Sequence, residues 1–187
     1  TLAHGDPYVR VTAATLLGEH FVLVAGGEAG RRAVFDSLAH RLRDPDAATR
    51  GAAARALLIH RGAAALAEVR PVLEDSSIYA RTAVLQALSR LDSASVLPIL
   101  LARIGPAFPL FDRMTAAEAL GALHAVSVAP QLRAALADSS VLFVASVASA
   151  LGELGDRASI RMLAETSIRR GRDADPDADA LRGVGAQ

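Results

Sequence analysis

Arginine is the residue type best equipped for chemistry in this chain, and it recurs on a ruler. Arg10, Arg50, Arg81 and Arg113 stand 40, 31 and 32 residues apart, and Val144 fills the next step of 31. A row of guanidinium groups could hold phosphate or carboxylate through paired N–H donors. The arginines, however, sit in a recurring phrase that supplies acid: Asp6-Pro-Tyr-Val-Arg10, Asp44-Pro-Asp-Ala-Ala-Thr-Arg50, Asp75-Ser-Ser-Ile-Tyr-Ala-Arg81, Phe111-Asp-Arg113 and Asp138-Ser-Ser-Val-Leu-Phe-Val144. Ion pairing inside an ordered array accounts for them without an external anion. Imidazoles also recur. His20 and His60 stand ten residues after the Arg position and His124 eleven after it. Such groups could ligate a metal, but stacked helices lie about 10 Å apart, and His20 and His60 fall near helix C-termini, where a cation is favoured anyway. No metal or cofactor is expected.

Other catalytic constellations are missing. The chain has no Cys, which removes a thiolate nucleophile, disulfides and thiolate metal sites. It contains no Gly-x-Ser-x-Gly and no glycine-rich loop ending in Lys-Ser/Thr. Gly26-Gly27-Glu-Ala-Gly30 reads as a hinge or protruding loop. The 20 basic residues, all arginine, balance 20 acidic ones, which argues against a nucleic-acid footprint or polybasic membrane attachment. No apolar run reaches the ~18 residues that span a bilayer. A cytoplasmic location is the expectation.

These residues need elements to position them. Leu17, Leu57, Leu88, Leu120 and Leu151 each follow the Arg position by seven residues, and Ala13/Ala14, Ala53/Ala54, Ala116/Ala117 and Val147/Ala148 put small residues three and four after it in four of the five units. Apolar side chains at about −1, +3 and +7 share one helix face. Alternating strand patterns bounded by turns are absent. Self-similarity with a period of 20–50 residues marks a solenoid. Each unit reads as two helices, A then B. The B helices are expected over 7–20, 46–61, 77–91, 110–124 and 140–154, and the A helices over 29–43, 63–74, 93–104, 128–137 and 158–170. Asp44, Asp75 and Asp138 fit helix-start chemistry. Pro71, Pro98 and Pro130 predict kinks or late starts in A helices. Residues 1–170 form the array, expected to be cut from a longer one, and the polar 171–187 a tail or linker.

On this phrase and its register the chain resembles the HEAT-repeat family, in particular the short bacterial HEAT-like repeats also found in phycobilisome lyase-type proteins, over about residues 4–170. The resemblance implies an all-α, right-handed α-α superhelix of about five helical hairpins, with B helices on the concave side. It also implies a ladder of polar contacts between neighbouring repeats, built on Asp44/Arg50 and Asp75/Arg81. The fourth unit lacks the Asp six residues before its Arg and the fifth lacks the Arg, so the ladder should weaken there. HEAT-like iron hydroxylases carry repeated His-Glu pairs, which this chain lacks. HEAT-like DNA glycosylases need a basic concave face, against which zero net charge argues.

Removing the buried stripe from each B helix leaves a second face at positions −2, +2, +5 and +9 from the Arg. Tyr8, Tyr79 and Phe111 share position −2, and Arg55, Gln86, Arg90 and Glu118 lie further along the same face. Rigid aromatics supply contact area at low entropy cost. The alternative for them is packing between repeats at the start of each B helix. The fifth B helix is apolar nearly all round, which predicts burial on more than one side and a surface for self-association through Val141, Phe143 and Val144. The expected function is a non-enzymatic scaffold that binds a protein partner along the concave B-helix face. The alternatives are a regulatory or lyase-type subunit acting on a cofactor-bearing protein, or a regulatory module of a longer multidomain chain.

Overall fold

The computed structural model describes residues 2–24, 27–159 and 161. Nine α-helices follow one another in it: α1 Pro7–Val24, α2 Gly27–Arg41, α3 Ala47–Arg61, α4 Leu66–Leu73, α5 Ile78–Leu88, α6 Ser93–Arg103, α7 Leu110–Ala122, α8 Ala129–Ala135 and α9 Val141–Glu153. Short 3-10 turns, Gly62–Ala65 and Val126–Val128, lead into α4 and α8. Among the described residues there is no strand. The odd-numbered helices are the B helices and stack in order, α1 on α3 on α5 on α7 on α9; each of α2, α4, α6 and α8 packs on the B helix that follows it. The architecture is the HEAT-like α-α superhelix.

Local chemistry sets the boundaries. Asp46 accepts a hydrogen bond from the Thr49 amide and Ser140 one from the Phe143 amide, each satisfying a free donor in a first turn. Gly62, at φ 57°, ends α3 in a region that side chains with a Cβ avoid. Asp44, Asp75 and Asp138 are not the caps themselves. Each accepts from the amide two residues on, at Asp46, Ser77 and Ser140, and so shapes the turn before the helix.

The register buries what the periodicity marked. Leu57, Leu88, Leu120 and Leu151 are all in the core, joined by Ala14, Ala54, Leu85 and Ala117 at position +4. Fully burying a Leu contributes about 1.5–3 kcal/mol, and each repeat obtains this only through its neighbours. Small residues set how closely the stack packs. A Cβ at Gly121 would lie 2.8 Å from the Ala150 Cα, and one at Gly51 would lie 3.1 Å from the Ala80 Cα.

Three expectations need correction. Of the expected hinge or protruding loop Gly26-Gly27-Glu-Ala-Gly30, Gly26 lies outside the described residues, while Gly27–Gly30 form the first turn of α2, which begins at Gly27 shortly after α1 ends at Val24. Gly27 adopts φ 82°, a conformation open to glycine. Helical dihedrals break at His20 in α1 (φ −125°, ψ 28°), whereas Pro71 and Pro98 lie inside α4 and α6. Pro130 does accompany a late start, with α8 beginning at Ala129 after its 3-10 turn. The third concerns α9, where Phe143 is buried while Val141 and Leu142 face solvent. Most of the expected helix 158–170 and all of the tail 171–187 lie outside the described residues.

Candidate functional site

Two layers of polar and aromatic groups run along the stack. The inner layer is the ladder, and its rungs cross repeats. Arg10 donates through Nε and Nη2 to Asp44 at 2.9 and 2.8 Å, and Arg50 in the same way to Asp75 at 2.7 and 2.8 Å. Arg81 Nε donates to Asp112 at 2.7 Å, and Arg113 donates to Asp138. Within its own repeat each of the first three arginines turns Nη1 to the carbonyls five and six residues upstream: His4 and Gly5, Asp44 and Pro45, Asp75 and Ser76. The within-phrase pairs Asp44/Arg50 and Asp75/Arg81 therefore meet through backbone carbonyls, while each carboxylate belongs to the preceding repeat's arginine.

Electrostatics follow the geometry. Burial pushes the Asp44 carboxyl up, but hydrogen bonds from Arg10, the Asp46 amide and Arg41 outweigh it and hold the group at about 2. The Arg50 hydrogen bond lowers Asp75, and the Arg113 hydrogen bond lowers Asp138. Arg10, Arg50 and Arg81 are raised, in each case chiefly by the aspartate they bind. Cations matched this closely to buried carboxylates are not presented to a ligand.

At the third rung the fourth unit does supply a carboxylate, although with one hydrogen bond from Arg81 instead of two and with Asp112 Oδ1 buried without a hydrogen-bond partner among the described residues. Asp112, fully buried, takes the place of the absent upstream Asp and also lies 3.8 Å from Arg103. Arg103 in turn donates to Glu74 at 2.7 Å and lies 4.2 Å above the Phe108 ring, while Arg113 lies 4.0 Å above Phe143. Asp112 escaped the sequence reading because it precedes its own Arg by one residue rather than six. The adjacent pair Asp112-Arg113 was visible, but spacing along one helix does not show which neighbour a side chain reaches.

The outer layer is the exposed face of the B helices. Tyr8 and Tyr79 are each 75% exposed and Phe111 58%, so these rings are not packed between repeats. Gln86, Arg90 and Glu118 are exposed on the same face, and Arg55 is half-buried. Position +2 drops out of the face toward the C-terminal end, where Thr115 and Ser146 are buried by the stack. Where the second repeat carries Ala48 at the aromatic position, a shallow cavity of about 180 Å³ opens across α1, α3 and α5. Its walls include Ala14, Thr15, Ala52, Arg55 and Ala83, with Tyr79 at one side. Arg55 approaches Glu19 only to 3.9 Å, with both side chains partly exposed. Such a pair holds its charges loosely.

Two of the three recurring histidines, His60 and His124, meet backbone carbonyls. His60 Nε2 lies 3.0 Å from the carbonyls of both Leu17 and Gly18, just before the break in α1, and His124 Nδ1 lies 3.4 Å from the Glu153 carbonyl. Among the described residues no three His, Asp or Glu side chains gather as a metal ion would require. No described helix is long and apolar enough to cross a membrane.

Residues 35–108 match the family model for HEAT repeats. The architecture of the chain is also similar to a solved structure, the complex of CpcE and CpcF of phycocyanin lyase from Nostoc sp. PCC7120, with a TM-score of 0.57 and 24% sequence identity. That likeness covers 87% of this chain and 65% of the other, so this chain spans less than two thirds of its structural neighbour, and the likeness is one of fold. No curated protein matches it significantly in sequence.

Proposed function

We propose that this HEAT array is a non-enzymatic scaffold that holds a segment of a protein partner against the exposed face of its B helices. The observation that carries the reading is the coincidence of Tyr8, Tyr79 and Phe111 at one repeat position, all largely exposed. Large rings in water forgo the free energy of burial, and a repeated row of them is a surface suited to a partner. The cavity beside Tyr79 gives an incoming side chain somewhere to sit, and Arg55, Gln86, Arg90 and Glu118 offer polar contacts around the rings. A partner segment lying across the stack would touch several repeats at once, which suits the solenoid geometry.

The test is capture of binding proteins by the wild-type chain beside a Tyr79→Ala/Phe111→Ala variant, with melting temperatures measured for both. Exposed rings carry little folding energy, so the variant should melt close to wild type and lose the partner. Equal capture by both baits, or a melting temperature that falls as far as binding does, overturns the reading. The lyase-type alternative is favoured instead if the captured partner carries a covalently bound cofactor that it acquires only when this chain is present.

A further inference from the structure

The exposed row on the B helices has one vacancy. At position −2 from the Arg ruler, Tyr8, Tyr79, Phe111 and Leu142 all face solvent, so four of the five B helices present a large apolar side chain there. The second B helix, α3, has Ala48 instead. The cavity of about 180 Å³ lies at this gap, walled by Ala48, Ala52 and Ala83 together with Arg55 and Tyr79. An apolar cavity of about 150 Å³ holds one benzene molecule, so the space suits a single ring.

The space is preformed. Close contacts draw its three helices together: an added Cβ at Gly18 of α1 would stand 3.4 Å from the Ala56 Cβ of α3, and one at Gly51 of α3 would stand 3.0 Å from the Ala83 Cβ of α5. Apart from Arg55 and Tyr79, every lining residue is Ala, Gly or Thr, so no other side chain can rotate in to fill the gap. A rigid floor spares an occupant the cost of ordering it. The two longer walls choose that occupant. The Tyr79 ring favours a second ring in an edge or offset contact, and a guanidinium favours a ring face. Charge points to an acid beside the ring. Among the described residues Arg55 makes no hydrogen bond through its side chain, and its one ion pair, to Glu19, spans 3.9 Å. Arg90, exposed on α5, has no ion pair among them. Both guanidinium groups are open to an incoming carboxylate.

We propose, building on the scaffold role above, that the partner segment is anchored by one aromatic side chain set into the cavity at Ala48, with an Asp or Glu beside it in sequence. The ring completes the row between Tyr8 and Tyr79, and the acid draws Arg55 away from Glu19. The exposed rings of the array supply contact area at several repeats, whereas the vacancy occurs at one, so it fixes where along the stack the segment sits. A single ring enclosed at the centre of a contact surface is the usual carrier of its binding energy.

The probe is a library of random linear peptides displayed on phage and selected on the folded wild-type chain. Hits are synthesised and titrated against variants whose melting temperatures are also measured. Ala48→Tyr fills the vacancy as the neighbouring repeats do, and Ala52→Leu fills it from the floor. The chain has no Trp, so a Trp in a hit reports its own burial by fluorescence. Hits should carry Trp, Tyr or Phe next to an acid and lose about tenfold or more in affinity on both filled variants, while these melt close to wild type. Selection on Arg55→Glu should keep the ring and exchange the acid for Lys or Arg. Hits that both filled variants bind undiminished, yet Tyr79→Ala/Phe111→Ala loses, overturn the anchor and leave the scaffold role standing. Hits with no ring beside an acid overturn it as well. Peptides that bind every variant alike, or a wild type that selects none, overturn both.

Discussion

Substituting Asp44 with Asn tests the ladder at its most heavily bonded rung. The carboxylate accepts from Arg10 at 2.9 and 2.8 Å, from Arg41 at 2.9 Å and from the Asp46 amide at 3.0 Å. Asp44→Asn keeps the shape and removes the charge, leaving a buried Arg10 with carbonyl acceptors and without its bonded counter-charge. Breaking one side of a buried pair costs about 3–5 kcal/mol. The pH dependence separates charge pairing from shape. Asp44 falls from its ordinary 3.8 to about 2 in the folded chain, so protons bind the unfolded chain more readily. The resulting stabilisation is complete above about pH 4 and is lost as pH falls toward about 2; a shift of this size is worth ~2 kcal/mol. Urea unfolding of wild type and variant, repeated from neutral pH downward, should show the gap between them narrowing by about 2 kcal/mol across that window. Hydrogen exchange should place the loss at the α1–α3 junction, because repeats couple through nearest-neighbour interfaces. A gap that stays constant with pH, or protection lost evenly along the array, would refute the reasoning.

Two further perturbations probe the stack. Gly121→Val places a branched side chain where even a Cβ lies 2.8 Å from the Ala150 backbone; overpacking of this kind costs about 1–3 kcal/mol, and thermal unfolding with exchange mapping should find α7 and α9 loosened while α1 and α3 keep their protection. Asp112→Asn should destabilise the array by about 3–5 kcal/mol, because Arg81 and Arg103 both approach that one carboxylate; a loss no larger than that of an exposed control such as Glu118→Gln, measured by urea unfolding, would show that the substitute rung is not a working one.

The amino-acid sequence by itself determined the repeat, the pairing of helices and the register of the core. Those follow from periodicity along single helices, where Leu at +7 and apolar residues at +3 and +4 can share only one face. It also put Tyr8, Tyr79 and Phe111 at one repeat position, although exposure rather than burial had to come from the stack. Tertiary structure alone decided which aspartate each arginine meets. The ladder partner lies one repeat away, and its identity depends on where the next helix is set by close contacts such as Gly51 on Ala80 and Gly121 on Ala150. Hence Asp112 serves a rung from a different place in its phrase, and Thr115 and Ser146 leave the solvent face they share with Thr12. The same geometry separates Phe143, drawn into the core beneath Arg113, from its exposed neighbours Val141 and Leu142. Periodicity fixes a direction around one helix axis, whereas burial depends on what stands in that direction, and only the packed array supplies it.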